Sequence, residues 1–425
     1  MKTLITVFIF VVVSSVTTSQ WVSFTPEAAL NISSIHEAYF LDANTGFAGG
    51  EGSGKGVIAK TINGGVNWSL VHSTVENSDW IGGIVFVSSN TGFACSQKGN
   101  VYKTTNSGSN WFISNQGLND AWDFSSIKFI NEQTGLVCGD GSSINRGPIF
   151  RTTNGGSNWY KVNNAVAHMD KIFWYDLNIV YASGDYVVFK STNGGVNWVD
   201  IYPGNRDCND VFFLNSNTGY VCGNYVMLKT TNAGTNWTEF LISPADTNYH
   251  SSVYFTDNNT GYIPLVKPTT YTCRIYKTTN SGVTWLLQQS LNNYFAFDVK
   301  LYFIDQNTGF AGGGEGKIWK TTNAGGPIGI RQISNNIPES YSLSQNFPNP
   351  FNPSTKIRFD VSKSGNVNIS VYDVLGKEIA TLVNQQLTTG TYETGWDATK
   401  FSSGIYYYRI IAEKYTETRK MVLIK

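Results

Sequence analysis

The sequence predicts an all-β protein, a seven-bladed β-propeller followed by a small Ig-like β-sandwich. Three observations predict it. A string of the form TTNGGxNW recurs at a mean spacing of about 43 residues. It ends at Trp68, Trp111, Trp159, Trp198, Trp237 and Trp285, with a shortened seventh copy over residues 321–326. An apolar or aromatic run closed by NTGF or a relative precedes the copies, as in residues 86–93 and 303–310, and degenerates at 178–181 before the fourth. The composition is rich in turns and rings, with 42 Gly among 425 residues and 14% aromatics. Charged residues are only 14%, against about 25% in ordinary domains.

The elements follow in chain order. Residues 1–19 read as a secretory signal, with Lys2 as the basic start, an apolar stretch over 4–13 and a small polar stretch up to a cleavage point before Gln20. That stretch is too short to cross a bilayer, and no later segment is long enough either, so no membrane span is expected. Each repeat then reads as four short strands. In the second copy these are 84–87, 93–96, 101–104 and 111–114, with turns at 89–92, Gly99 and 106–110. Gly92 is expected to supply a positive φ in its turn. A repeated four-stranded unit of this length is a propeller blade, which cannot bury both faces without neighbours. In the hairpin string the Thr and Asn side chains can bond the turn backbone and Gly can take the left-handed position. The Trp is expected to pack against the next blade. The seventh copy lacks its Trp-bearing strand, and residues 20–24 supply a matching one around Trp21. The N-terminal strand is therefore expected to complete the last blade and close a ring over residues 20–326.

Residues 327–340 read as a linker between prolines. Over 341–425 apolar and polar residues alternate: Ile357, Phe359, Val361; Val367, Ile369, Val371; then Ile405, Tyr407, Arg409, Ile411. Turn signals separate these runs, which suits a small sandwich.

Two resemblances follow from these strings. TTNGGxNW resembles the Asp-box, or BNR, repeat, with Asn in place of the usual Asp. Seven such copies with TGF resemble the photosystem II assembly factor-like propellers of the wider sialidase-like group. The photosynthetic partner is not implied, because residues 20–326 hold four Arg (146, 151, 206, 274) and 18 basic against 22 acidic residues. The C-terminal stretch closely resembles the type A sorting domain of the type IX secretion system. The matching strings are QNFPNPFNPST (345–355), VYDVLGKEIATLV (371–383), GTYETGWDA (390–398), SSGIYYYRI (402–410) and KMVLIK (420–425). The resemblance implies Sec passage, then translocation to the outer surface or medium. It implies the type IX machinery and its sortase as partners, and Gly404, Tyr406, Lys420, Val422 and Lys425 as sorting-signal residues.

Chemistry is sparse. Formal net charge is zero, which gives no field for a nucleic acid. Residues 49–56 approach a P-loop but place Gly56 where a hydroxyl must hold Mg²⁺. His36, His72, His168 and His250 lack zinc-site spacing, so neither metal nor cofactor is expected. No GxSxG elbow occurs, and Ile263-Pro264 follows Tyr262 where sialidases carry Arg-Ile-Pro. The five Cys (95, 138, 208, 222, 273) read as small buried hydrophobes, with a Cys208–Cys222 bridge as the alternative.

Aligning the copies on Phe86, Phe129, Phe213 and Phe255 puts Asp79, Trp80, Trp122, Asp123, Arg206, Asp207 and Tyr249 just before the first strands. There they would either cap those strands or ring one mouth of the channel, where aromatics beside carboxylates suit sugar or peptide binding. The reading is a secreted or surface propeller that binds an unknown protein or glycan, with no catalytic residue assigned. One alternative is a glycoside hydrolase using Asp79, Asp123 or Asp207 as acid and base. The other is an assembly or stability factor for an envelope complex.

Overall fold

The computed structural model describes residues 21–24, 31–118, 121–141, 147–162, 167–202, 204–240, 242, 249–267, 272–291, 299–314, 316–322, 324, 330–334, 336–398 and 401–425. The expected signal segment lies outside them. Every regular element among the described residues is a strand.

Seven antiparallel sheets succeed one another, each running from an inner to an outer strand. Blade 1 comprises Ile32–Phe40, Gly46–Gly52, Lys55–Thr61 and Ser69–Ser73. Blade 2 comprises Ile81–Phe86, Gly92–Ser96, Val101–Thr104 and Phe112–Ile113, and blade 3 Ala121–Phe129, Gly135–Gly141, Ile149–Thr152 and Tyr160–Lys161. Blade 4 holds Met169–Trp174, Val180–Gly184, Val187–Ser191 and Val199–Asp200, and blade 5 Cys208–Phe213, Gly219–Gly223, Val226–Thr230 and Thr238–Glu239. In blade 6 the inner edge is split into Tyr249–His250 and Tyr254–Phe255, followed by Gly261–Lys267, Thr272–Thr278 and Leu286–Leu291. Blade 7 has Lys300–Phe303, Gly309–Gly312 and Ile318–Thr321, and its outer strand is Val22–Phe24, with Val22 opposite Lys320.

The hairpin string folds as a repeated clamp. In blade 1 the Thr61 hydroxyl donates to Asn63 Oδ1 (3.0 Å) and accepts the Gly65 N–H (3.0 Å), while Asn63 Oδ1 accepts the Asn67 N–H (2.8 Å). The same three bonds recur from Thr104, Thr152, Ser191, Thr230 and Thr278. Each hairpin also donates a backbone N–H to the turn after the inner strand of its own blade, as Gly64 does to Asn44 O (2.8 Å). Hairpins and these turns therefore share one face of the ring.

The Trp contact differs from expectation. Trp111 stands edge-on to Phe86 of its own blade (5.9 Å, 84°) and meets Phe47 of the preceding blade (6.4 Å), not the next one. Gly92 also differs. Its φ is not left-handed; it opens the second strand because a Cβ there would lie 2.8 Å from the Phe86 ring, and Gly46, Gly135, Gly219, Gly261 and Gly309 meet their own inner-strand rings likewise.

A second ring of contacts joins the blades. The residue before each hairpin reaches a carbonyl in the next one: Lys60 to Ser107 O, Lys103 to Gly155 O, Arg151 to Gly194 O and Lys190 to Ala233 O. Lys229 to Ser281 O, Lys277 to Ala324 O and Lys320 to Gly64 O complete the circuit. The six Lys also lie over a ring of their own blade's second strand, 5.2–5.6 Å from its centroid.

All five Cys are buried and free. The register sets Cys208 opposite Gly223 and Asp210 opposite Cys222, so the bridge is not formed. Burial pushes the Cys208 and Cys273 thiols up to about 12, which makes them inert packing groups.

The C-terminal module is two four-stranded sheets around one core of Phe351, Ile357, Phe359, Ile369, Trp396, Tyr408, Ile410 and Met421 among others. Ile330–Ser334, read above as linker, is an edge strand paired with Gly390–Asp397. In Gly404–Ala412 the alternation is the reverse of that expected: Tyr406, Tyr408, Ile410 and Ala412 are buried, while Ile405, Tyr407, Arg409 and Ile411 face out. Apart from Arg409, both faces of this strand are apolar or aromatic, so periodicity chooses only weakly between them.

Candidate functional site: the propeller channel

Side chains alternate along a strand. In each inner strand the aromatic that packs between blades points away from the channel, so the residues one and three places before it face the axis. The first of these tiers is Tyr39, Val85, Lys128, Phe173, Phe212, Tyr254 and Tyr302. The second is Glu37, Gly83, Ser126, Lys171, Asp210, Ser252 and Lys300.

The second tier carries the charge. Lys171 of blade 4 meets Glu37 of blade 1 at 3.1 Å, so this ion pair bars the channel from side to side. Burial alone would raise the Glu37 pKa, but the ammoniums of Lys171, Lys128 and Lys300 hold it below the ordinary value. Burial would likewise lower Lys171, and Glu37 and Asp210 keep it raised. Asp210 accepts the N–H groups of Val211 (2.9 Å) and Val253 (3.1 Å). Its burial still outweighs the nearby Lys171 and Lys300 and raises its pKa.

A cavity of about 300 Å³ adjoins this tier. Its lining runs from Glu37, Lys171, Asp210 and Lys300 along the inner strands to Ile130 and Trp174, at the hairpin end. None of the seven residues expected at the channel mouth lines it.

Those seven start the inner strands, at the other end. Asp79 is fully buried and accepts the N–H groups of Trp80 (2.9 Å) and Lys98 (3.0 Å), so it ties a loop rather than facing a ligand. Trp80 stacks on His36 of blade 1 (5.6 Å). Trp122 lies in an inner strand, and its side chain is outside the described residues. Arg206 donates to Tyr225 O (2.6 Å), and the Tyr225 ring meets Tyr249 (5.2 Å). Asp207 accepts from Asn224 Nδ2 (2.8 Å).

Asp123 is the one carboxyl of this set with a large resolved shift. Burial pushes it up to about 6, opposed by nearby His168 and reinforced by Asp140. Its folded pKa exceeds its ordinary value of 3.8. Its contribution to stability is therefore fully present below that value and lost as pH rises through about 6. Asp123→Asn is expected to raise stability by about 1 kcal/mol at pH 7, after allowance for solvent screening, and by nothing at pH 4. Urea midpoints at the two pH values check this, and an equal gain at both would refute it.

Sequence spacing also missed a cluster beside Asp123. The ligand atoms of His168, Asp170 and Asp185 lie within 4.8 Å of one another and could hold a cation. Asp185 comes from the turn after the neighbouring strand, a partnership invisible to linear spacing.

The predicted sorting-signal residues gather at one edge of the tail. The Lys420 carbonyl accepts Gln345 Nε2 (2.8 Å), and the Val422 N–H donates to Asn349 Oδ1 (2.9 Å). Lys425 donates its N–H to Ser403 Oγ (3.0 Å), and the Tyr406 hydroxyl donates to Ser402 O (2.7 Å). Gly404 opens the strand paired with the C-terminal one. The Pro-rich string thus folds over the final strand.

Fold and tail together define a class: a β-propeller that carries a secretion address. Residues 345–425 match the family described as the secretion system C-terminal sorting domain. No curated protein matches the chain. Among solved structures it is similar to a YCF48 described as bound to D1 peptide, at 15% identity and a TM-score of 0.58, over 72% of this chain and 96% of that one. YCF48 from Cyanidioschyzon merolae is similar at 14% identity and a TM-score of 0.54, over 71% of this chain and 98% of that one. PorZ of Porphyromonas gingivalis, described as an essential bacterial surface component of the type-IX secretion system, is similar at 11% identity and a TM-score of 0.53. That match spans 92% of this chain and 60% of PorZ. Among the described residues no helix is long and apolar enough to cross a membrane.

Proposed function

We propose that this chain is a type IX secretion cargo, delivered to the cell surface or the medium, whose propeller binds a partner without performing chemistry. The observation that carries the reading is the tail: a two-sheet sandwich that matches a sorting domain and whose Pro-rich string hydrogen-bonds to its last strand. The channel supports the binding half, because its carboxylates are occupied. Glu37 is paired with Lys171, and Asp210 holds two backbone amides. A glycoside hydrolase needs two carboxyls facing a common bond; burial raises Asp79, Asp123 and Asp210, but Asp79 ties a loop and Asp210 holds two backbone amides.

Removing residues 330–425, which includes the edge strand, is expected to strand the propeller in the periplasm, with surface or medium delivery reduced at least about tenfold. Fractionation and immunoblotting read this, and undiminished delivery would overturn the export reading. A glycan array and co-purification from the envelope with the secreted chain test the binding half. Polysaccharide release that disappears in Asp123→Asn would replace binding with hydrolysis.

A further inference from the structure

We propose that the hairpin-side cavity of the channel binds the carboxylate of an apolar, ring-bearing acid, with the Lys128 ammonium as its counter-ion. This rests on the reading of the propeller as a binding module and names its ligand class.

The charges give the first argument. Lys128, Lys171 and Lys300 line the cavity against Glu37 and Asp210, one cation in excess. Lys171 is committed to Glu37 (3.1 Å), Lys300 donates to Ser251 O (3.1 Å), and the Asp210 oxygens take two backbone N–H groups. Lys128 is half-buried on the cavity wall and feels Glu37 and Asp210 at a distance. Among the described residues its ammonium has no hydrogen bond or ion pair. An uncommitted ammonium on the wall of a half-enclosed cavity, only partly screened by solvent, attracts an anion more strongly than one in open water. A site that keeps one is complementary to an anion that enters, and a single excess charge matches a monoanion.

The walls give the second. Phe173 lies 5.0 Å from Phe212, and Phe212 lies 5.5 Å from Tyr254. The hydroxyls of Tyr254 and Tyr302 already donate to Phe303 O (3.1 Å) and Phe40 O (3.0 Å). What remains facing the cavity is ring surface, which suits an apolar body behind the carboxylate. The volume of about 300 Å³ is at the lower end for small-molecule sites.

The floor gives the third. The Glu37–Lys171 pair bars the channel, so a polymer cannot thread through it. The cavity takes an end: either a free small acid or the terminal carboxylate of a peptide with an apolar last residue.

Calorimetry on the secreted full chain tests this with 3-phenylpropanoate, its amide, and acetyl-Gly-Phe with a free or an amidated terminus. The acids are expected to bind at least about tenfold more tightly than the amides. Lys128→Met should weaken acid binding at least about tenfold and leave the amides unchanged, whereas Lys128→Arg should retain the preference. Binding of the peptide acid alone assigns a chain end; binding of both acids admits the free acid. Equal binding of acid and amide, no acid binding at millimolar concentration, or full acid binding by Lys128→Met would overturn the proposal. The acid–amide comparison needs no variant, so it decides even if Lys128→Met does not fold. Glycan or partner capture by a chain indifferent to acids would overturn this site and leave the binding reading intact.

Discussion

Lys171→Met is expected to cost about 3–5 kcal/mol of folding stability, far more than loss of a surface ion pair. The reason is the group left behind. Glu37 is 6% exposed and its carboxylate meets Lys171 at 3.1 Å across the channel. Without Lys171 it must stay ionised and buried or take up a proton. Glu37→Gln should be costly for the converse reason, since it leaves the Lys171 ammonium beside a neutral amide. The double variant Glu37→Gln/Lys171→Met should recover most of the loss, because neither charge remains unpaired. Guanidinium midpoints of the four proteins form a double-mutant cycle, with a coupling of about 2–3 kcal/mol expected. Additive single losses would show that the pair is incidental. The pH dependence has a definite sign. The Glu37 pKa is lowered from 4.5, so its contribution is present above that value and lost as pH falls through the folded pKa. The Lys171 pKa is raised from 10.5, so its contribution is present below that value and lost only as pH climbs through the folded pKa. The parent should therefore lose more stability on acidification than the double variant does.

The contrast between scaffold and site explains what was legible in the sequence. The hairpin clamp repeats because the same three hydrogen bonds must form in each copy, and repetition is what a sequence displays best. The channel is built from what does not repeat. Three places before each inner-strand aromatic stand Glu37, Gly83, Ser126, Lys171, Asp210, Ser252 and Lys300. No two adjacent blades agree there, so alignment of the copies treats the position as noise. The signal that could have found it is the strand period. A charge an odd number of places before a ring that packs between blades must face the channel. The residues before the strands stand out instead, on the general ground that loops carry function. Asp79 shows the weakness of that ground, for it is fully buried and its Oδ1 ties two backbone amides of its own blade. The reversed face of Gly404–Ala412 has a similar origin, since a strand largely apolar on both sides carries only weak alternation.

Ring closure bears the other large effect. Trp21→Ala is expected to cost about 3–5 kcal/mol. Trp21 is 1% exposed and stands edge-on to Phe303 at 6.0 Å and 88°, which reproduces the Trp111–Phe86 geometry of blade 2. It also meets Tyr262 of blade 6 (6.5 Å), and its indole N–H donates to Gln288 Oε1 (3.2 Å). Its strand pairs through only three residues, Val22 to Phe24 against Lys320 to Ile318. So short a pairing is weak alone, and the buried ring anchors it. The six Trp residues of the hairpin strings directly precede strands joined to their own blades by short hairpins, whereas this one is held across almost the whole length of the propeller sequence. Its loss frees the strand and with it the outer edge of blade 7. Trp21→Phe should retain about half of the contribution, because the edge-on contact survives in part while the indole hydrogen bond does not. Hydrogen exchange on the parent and Trp21→Ala locates the damage: protection should fall first in Gly309–Gly312 and Ile318–Thr321, before blades 3 and 4 respond. Uniform loss of protection around the ring, or a stability change below about 1 kcal/mol, would show that closure does not depend on this residue.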